Sequence, residues 1–141
     1  MITKPVIICD IDGTAAKRNG RSPYDYTKVD TDLPNEPLRT IIYVLHKFGY
    51  GIVYVSGRED TDKCRRDTEK WLVKHSFPRG KLYMRAEGDR REDSIVKTEI
   101  YNRDILANYA NILVVFDDRN RVVKKWRELG LACFQVEEGD F

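Results

Sequence analysis

Two carboxylates follow a short apolar segment near the start of the chain. The segment Val6–Cys9 consists of β-prone residues and is followed by Asp10, Asp12 and Gly13. An apolar run of this length is typical of a buried strand in a parallel sheet, and ligands bind beyond the carboxyl ends of such strands. A turn at Gly13 brings both carboxylates to one point, where like charges repel unless a cation or a proton lies between them. The alternative is a surface turn whose acids are solvated.

Polar side chains also follow two further predicted strands. Ser56 and Arg58 come directly after one apolar run, and Asp117 and Asp118 come after another. Because the carboxyl ends of parallel strands share one edge of the sheet, we expect these residues to converge on the first two acids. Lys97, near the start of a predicted helix, can reach the same edge with a positive charge. Taken singly, each has a simpler explanation: a turn serine, a solvated lysine, or acids that cap a helix.

This combination of groups fits metal-assisted phosphoryl transfer. Carboxylates from two neighbouring strands form an oxygen-rich site of the kind that Mg²⁺ prefers. A metal, a lysine and a hydroxyl around a carboxylate stabilise the charge of a transferring phosphoryl group. In such a site we expect Asp10 to be the nucleophile that forms an aspartyl-phosphate. We expect Asp12 to protonate the leaving oxygen and then to activate the attacking water.

The elements that position these groups alternate along the chain. Apolar residues at helical spacing predict four helices between the strands, so the fold class is α/β: a three-layer, Rossmann-like parallel sheet of about five strands with helices on both faces. The stretch Lys17–Asp32 is polar, rich in turn residues and longer than a usual connection, which predicts a short flap after the first strand and no large cap domain. The predicted strands are Val6–Cys9, Gly51–Val55, Leu82–Met84, Ile112–Phe116 and Leu131–Val136.

Composition limits the class of protein. The 141 residues are 41% hydrophobic and 34% charged, which predicts one soluble domain over residues 1–141. We expect no membrane association and no signal peptide, because no apolar run approaches about twenty residues and the N-terminus enters the first strand directly. Three scattered cysteines favour a reducing, cytoplasmic location. The net charge of +2 means that an anionic partner must be bound by a local basic patch.

The motifs together resemble those of the haloacid dehalogenase superfamily of phosphotransferases. A closer resemblance, over about Lys4 to Phe141, is to the phosphatase domain of phage polynucleotide kinase-phosphatase. The superfamily match consists of Asp10, Asp12, Thr14, Ser56, Lys97, Asp117 and Asp118. The closer match consists of the segments Asn19–Asp25, Val55–Glu59, Asp117–Arg119 and Glu138–Phe141.

The resemblance implies a Mg²⁺-dependent polynucleotide 3′-phosphatase that removes 3′-phosphates, including 2′,3′-cyclic ends, from DNA or RNA in end healing and repair. By position, Asp10 matches the nucleophile, Asp12 the acid and base, and Lys97 the lysine that contacts phosphate. The positions that match phosphate or substrate contacts are Thr14, Arg21, Ser56, Gly57, Arg58 and Asp93. The positions that match the metal site are Asp10, Asp12, Asp117 and Asp118.

The chain also differs from the fused family members. The P-loop of the kinase half, GxxxxGK[ST], does not occur here, so we expect a stand-alone phosphatase or an excised domain, with a kinase domain or a kinase and ligase acting in trans. In a phage-encoded protein the cytoplasm is that of the host cell. The flap and a charged loop with Arg85, Arg90 and Arg91 are predicted to be the walls for the nucleic-acid strand. The alternative for this loop is solvation, since its arginines are interleaved with Glu87, Asp89, Glu92 and Asp93.

Three other functions compete with this interpretation. The first is a phosphatase of the same superfamily that acts on a free nucleotide or another small phosphomonoester. The second is a catalytically silent module that binds nucleic-acid ends, which has no need of an aspartyl nucleophile. The third is a receiver-like phosphotransfer domain, which does not need an acid at the position of Asp12. An open site without a large cap favours a polymer end over the first alternative, a small phosphomonoester.

Overall fold

The computed structural model describes residues 4–109 and 111–141, in which five parallel strands form the central sheet. The strand order is β5-β4-β1-β6-β7, so the first strand lies in the middle. Along the chain the elements are β1 (Val6–Cys9), β2 (Ala16–Lys17), β3 (Leu33–Pro34), α1 (Glu36–Lys47), β4 (Gly51–Glu59), α2 (Asp62–Lys74), β5 (Lys81–Arg85), α3 (Asp93–Ile100), β6 (Ile112–Asp117), α4 (Asn120–Glu128) and β7 (Cys133–Gln135).

Helices cover both faces of this sheet. Alternate residues of β1 point to opposite faces: Ile7 packs in one core with Ile42 of α1 and Trp71 of α2. Ile8 packs in the other core, where Trp126 of α4 lies. Because both faces are buried, β1 is apolar throughout rather than alternating. The predicted three-layer α/β fold with a parallel sheet of about five strands is confirmed.

Helix ends follow from local capping. Thr61 is the N-cap of α2, and its side chain accepts a hydrogen bond from the backbone N–H of Cys64 at 3.1 Å. At the start of α1, the Asn35 side chain accepts from the backbone N–H of Leu38. Such caps contribute about 1 kcal/mol each. Helix α1 starts at Glu36, two residues before Leu38, the first residue of its apolar pattern, because the Asn35 cap fixes its start.

Strand β4 is longer than predicted. It runs to Glu59 rather than ending at Val55, since its last residues still pair with β5, after a register shift between Ser56 and Glu59. The polar residues expected after the strand are therefore part of its carboxyl end. Ser56 and Glu59 pair with Met84 and Arg85 of β5, and Gly57 and Arg58 lie in the irregularity between these two pairs.

The segment Lys17–Asp32 is anchored at its base. Strands β2 and β3 pair antiparallel and bring its two ends together, and a 3₁₀ helix occupies Tyr26–Thr31. The indole N–H of Trp71 donates to the backbone carbonyl of Asp32 at 2.9 Å, which fixes this segment against α2. Two-residue strands are too short for a periodic pattern, so the sequence did not predict this ribbon. In the part of the chain that is described, no helix combines the length and apolar character needed to cross a bilayer.

Candidate active site

Three carboxylates meet at the carboxyl edge of the sheet. Asp10 follows β1, Asp117 ends the neighbouring strand β6, and Asp118 comes next. Each offers a carboxylate oxygen within 4.8 Å of the others, and all three residues are buried. Neither Asp117 nor Asp118 caps α4, whose N-cap position is Arg119. The alternative explanation of these acids as a helix cap therefore does not apply.

Lys97 of α3 bridges two of the three acids. Its Nζ lies 2.8 Å from Asp10 Oδ1 and 2.9 Å from Asp117 Oδ2, and the lysine is buried. The other Asp10 oxygen accepts a hydrogen bond from the hydroxyl of Thr14 at 2.8 Å. Asp117 Oδ2 also accepts from the indole N–H of Trp126 at 3.1 Å. The nucleophile candidate is thus held by both of its oxygens.

The three acids carry more negative charge than the single positive charge of Lys97 can neutralise. Burial raises the pKa of the Asp10 carboxyl, and the nearby Asp117 raises it further, while Lys97 offsets only part of the effect. Burial and Asp117 likewise raise the pKa of Asp118. Burial alone lowers the pKa of Lys97, but Asp10 and Asp117 outweigh this and raise it above its usual value, so the ammonium stays charged. Three carboxylates against one ammonium leave room for a cation.

The donor set fits a hard divalent cation. The residues Asp10, Asp117 and Asp118 supply only oxygen atoms, which suit Mg²⁺ better than soft transition metals. The turn that follows Asp10 is tight: Gly13 has φ of +81°, and a Cβ there would overlap the carboxylate of Asp118. Any larger residue at Gly13 would therefore displace one of the three acids.

Asp12 lies apart from this group, contrary to the expectation that both early carboxylates point at one cation. Arg58 binds it with two nitrogens, Nε to Oδ2 at 3.0 Å and Nη2 to Oδ1 at 2.7 Å. Arg21 Nη2 contacts Oδ1 at 3.0 Å. Burial raises the pKa of Asp12, but the two arginines outweigh it and the net shift is downward. The Asp12 side chain is 36% exposed, far more than Asp10, so it is the acid that an incoming group meets first.

The sequence did not identify Asp32. This carboxylate is buried and accepts hydrogen bonds from Arg21, Nε to Oδ1 at 2.7 Å and Nη2 to Oδ2 at 2.8 Å. It also accepts from Arg58 Nη2 at 3.1 Å. Asp32 therefore orients both arginines that contact Asp12. It lies in a polar, turn-rich stretch without periodicity, so no local pattern separates it from a surface acid.

Ser56, Gly57 and Asp93 are brought to the same edge in supporting positions. The Ser56 hydroxyl is buried and accepts a hydrogen bond from the backbone N–H of Arg58 at 3.1 Å. A Cβ on Gly57 would overlap the carboxylate of Asp93, so only glycine allows this close approach. Asp93 is ion-paired with Arg85 and, at 3.1 Å, with Arg119.

Two of the three loop arginines are already engaged. Arg85 binds Asp93, and its Nε donates to the backbone carbonyl of Gly57 at 2.8 Å. Arg91 Nη2 lies 2.8 Å from an oxygen of Asp89 and 2.7 Å from an oxygen of Glu99. These arginines stabilise the loop and are not free cations. Within residues 4–109 and 111–141, Arg90 has no such carboxylate contact.

The three clustered acids, Asp12, Lys97 and the loop arginines line one cleft. Its volume is about 920 Å³, and the flap, the charged loop and the ends of the central strands line it. Asp10, Asp12 and Lys97 all line it, and Asp12 is the most exposed of the three. A nucleophilic carboxylate next to a lysine and a cation-binding acidic group, with a second acid exposed to the cleft, is suited to phosphoryl transfer.

Comparisons with known proteins agree with this geometry. Residues 4–141 match the family described as the phosphatase domain of polynucleotide kinase PNKP. The chain is 34% identical over 126 residues to a protein of Autographa californica nuclear polyhedrosis virus described as a bifunctional polynucleotide kinase/RNA ligase. That match covers 87% of this chain and 18% of the viral protein.

Solved structures give the same result for the fold. A chain of the Pnkp1/Rnl/Hen1 RNA repair complex superposes with a TM-score of 0.91 at 40% identity, over 97% of this chain and 43% of that chain. A second structure of a Pnkp1/Rnl/Hen1 complex has the same TM-score and identity and is matched over 47% of its chain. The chain thus spans less than half the length of these relatives. The resemblance stated from the motifs is confirmed.

Proposed function

The chain belongs to the phosphatase-domain family of polynucleotide kinase PNKP, and on this basis we propose that it is a Mg²⁺-dependent polynucleotide 3′-phosphatase that acts through an aspartyl-phosphate. The observation that carries the proposal is the contact of Lys97 with Asp10 beside Asp117 and Asp118. We propose that residues 1–141 form one phosphatase domain. Its substrates are 3′-phosphate ends of RNA or DNA and 2′,3′-cyclic phosphate ends of RNA, and the names of its relatives favour RNA repair.

In the first step an oxygen of Asp10 forms a bond to phosphorus while the bond from phosphorus to the 3′-oxygen breaks. Asp12 is ionised in the free protein because Arg58 and Arg21 lower its pKa, so in this proposal it takes up a proton as the phosphate dianion binds beside it and gives that proton to the leaving 3′-oxygen. In the second step Asp12 takes a proton from water, the water oxygen bonds to phosphorus, and the bond to Asp10 breaks to release inorganic phosphate. Lys97 stays protonated and neutralises charge beside Asp10 throughout.

The remaining side chains have positioning roles in this proposal. Asp10, Asp117 and Asp118 hold the cation, which supplies charge stabilisation at the phosphoryl oxygens. Arg21 and Arg58 hold Asp12 in position, since each has a nitrogen within 3.0 Å of that carboxylate, and of the two Arg21 also lines the cleft. Thr14 and Ser56 are buried and do not contact the substrate in this proposal. Thr14 orients Asp10 through its hydrogen bond, and Ser56 orients the backbone of β4 by accepting from the N–H of Arg58.

The proposal also includes partners. The viral relative is described as a kinase/RNA ligase, and the structural relatives come from complexes named for Pnkp1, Rnl and Hen1. A 3′-phosphatase produces the 3′-hydroxyl that a ligase joins to a 5′-phosphate. We therefore propose that kinase and ligase activities, on a longer chain or in trans, complete the repair reaction.

The test is phosphate release with Mg²⁺ from three matched substrates: a 3′-phosphorylated oligonucleotide, its 5′-phosphorylated twin and a 3′-mononucleotide. We expect release from the 3′-phosphorylated oligonucleotide, in RNA and DNA series, and none from the 5′ twin. Equal or faster turnover of the mononucleotide would instead support a small-molecule phosphatase. The Asp10→Asn variant is the blank, because an amide is too weak a nucleophile to form the aspartyl-phosphate.

A second measurement tests the role of Asp12. The Asp12→Asn variant is expected to lose most activity on substrates with poor leaving groups, because these need protonation as the bond breaks. An activated aryl phosphate needs less help and should lose less. The same loss on both substrates would remove Asp12 from the acid role.

A further inference from the structure

An exposed aromatic ring faces the cleft beside the flap. Tyr24 is 84% exposed and lines the same cleft as Asp10, and among the described residues its ring contacts no other aromatic side chain. Phe141 also lines the cleft, but the guanidinium of Arg119 lies 4.6 Å from the centre of its ring. Tyr24 thus offers a free ring face, and nucleic-acid bases stack on such rings without regard to sequence.

Two arginines that line the cleft, Arg18 and Arg90, differ from its other charged side chains. Outside the acids of the phosphate site, the cleft-lining carboxylates are engaged within the protein, whereas Arg18 and Arg90 have no carboxylate partner within residues 4–109 and 111–141. The flap carries Arg18, and the charged loop carries Arg90. The engaged carboxylates are Asp89 with Arg91, Asp93 with Arg85, Glu92 with Arg121, Glu137 with Lys17, and Glu59 with the backbone N–H of Gly88.

The size of the cleft exceeds what a phosphate needs. Ligand sites in proteins are roughly 300–1,000 Å³, and this cleft of about 920 Å³ lies near the upper end. The phosphate-handling groups occupy its inner part, because Asp10 and Lys97 are buried whereas Arg18, Tyr24 and Arg90 are exposed. The outer part of the cleft, which we call its mouth, therefore has unfilled space, the exposed ring of Tyr24 and the guanidinium groups of Arg18 and Arg90.

We propose that the mouth of the cleft is a subsite for the nucleotide that precedes the 3′-terminal one. Its base stacks on Tyr24, and the phosphate that links the two nucleotides lies between Arg18 and Arg90. This inference rests on the proposed 3′-phosphatase function and specifies its substrate: the smallest efficient substrate is a 3′-phosphorylated dinucleotide. A 3′-mononucleotide has neither the second base nor the linking phosphate, so it leaves this subsite empty.

The test compares kcat/KM for a 3′-phosphorylated mononucleotide, dinucleotide and longer oligonucleotide. For the unmodified protein we expect a large rise from mononucleotide to dinucleotide and little beyond it. Tyr24→Ala should lower the ratio of dinucleotide to mononucleotide kcat/KM by about 5- to 150-fold, the range that stacking of one base contributes. Tyr24→Phe keeps the ring and should keep the ratio.

Charge variants test the other half of the subsite. Arg18→Gln and Arg90→Gln should each lower the ratio of dinucleotide to mononucleotide kcat/KM. Each should also make the plot of log kcat/KM for the dinucleotide against log salt concentration shallower, by about 0.7 in slope for the loss of one phosphate contact. Matched controls are Tyr43→Ala on the outer surface of α1 and Arg79→Gln, which precedes β5 at the opposite edge of the sheet. Both controls should keep the ratio and the slope of the unmodified protein.

The outcomes separate the two proposals. No release from any 3′-phosphorylated substrate would overturn the proposed function itself. Equal kcat/KM on all three would likewise count against it, in favour of a small-molecule phosphatase. A rise only from dinucleotide to longer oligonucleotide, with mononucleotide and dinucleotide equal, would leave the polynucleotide 3′-phosphatase standing and overturn the subsite. Tyr24→Ala would also overturn it if the losses on mononucleotide and dinucleotide were equal, because the ring would then act on the terminal nucleotide.

Discussion

Arg58 Nη2 donates to Asp32 Oδ2 at 3.1 Å, although the two residues are 26 positions apart and both side chains are buried. The same guanidinium holds Asp12 and donates from Nη1 to the hydroxyl of Thr68 at 2.8 Å. Asp32 therefore connects the base of the flap to the acid that we assign to proton transfer. The position of Asp12 depends on a residue that never enters the chemistry.

The first prediction concerns Asp32. Asp32→Asn keeps the shape of the side chain but leaves the buried Arg21 and Arg58 short of one negative charge. Breaking a buried ion pair costs on the order of 3 kcal/mol, so we expect a loss of that size in the free energy of unfolding in urea, together with a lower kcat. Asp30→Asn, at an exposed position on the same 3₁₀ helix, is the control and should change neither. A stable, fully active Asp32→Asn protein would contradict the positioning role.

The second prediction concerns Lys97. Lys97→Met removes the ammonium that contacts Asp10 and Asp117, and we expect kcat to fall on the order of 100- to 1,000-fold, as for the loss of one preorganised charge in other active sites. Lys97→Arg should not restore activity, because a planar guanidinium does not fit the buried space between two carboxylates. Circular dichroism and urea unfolding check that the variants fold. Substantial turnover by Lys97→Met would remove the lysine from phosphate chemistry.

The third prediction concerns the cation and uses no activity measurement. Mg²⁺ should raise the thermal unfolding midpoint by relieving repulsion among Asp10, Asp117 and Asp118, by about 4 °C at ten times its dissociation constant. EDTA should reverse the shift, and Asp118→Asn should reduce it. Asp30→Asn should respond like the unmodified protein. A midpoint that ignores Mg²⁺ would contradict a cation site at these acids.

The fourth prediction concerns pH. Arg58 and Arg21 lower the pKa of Asp12 below its ordinary value in the folded state, despite burial. The ionised carboxylate therefore stabilises the fold fully above the unfolded-state pKa of about 4, and this contribution is lost as the pH falls through the folded-state pKa. In EDTA, we expect Asp12→Asn to be less stable than the unmodified protein at pH 7 and the gap to narrow at about pH 3. A gap that widens on acidification would contradict the direction of the shift.

The sequence alone determined the fold class and the inner part of the site. Buried parallel strands have to be continuous apolar runs, and the residue that follows each run has to lie at the shared carboxyl edge. Local patterns therefore sufficed to predict that Asp10, Ser56 and Asp117 belong together, with Lys97 from the adjacent helix.

Only the tertiary structure decided which charges are free. A carboxylate in an irregular loop has no periodic neighbours, so nothing local distinguishes the buried Asp32 from a solvated acid. The same holds for the charged loop, where Arg85 and Arg91 bind acids that the fold brings to them and Arg90 does not. Charge pairing depends on distances of a few ångströms between side chains, and those distances are set by the loop conformation and the packing rather than by sequence spacing.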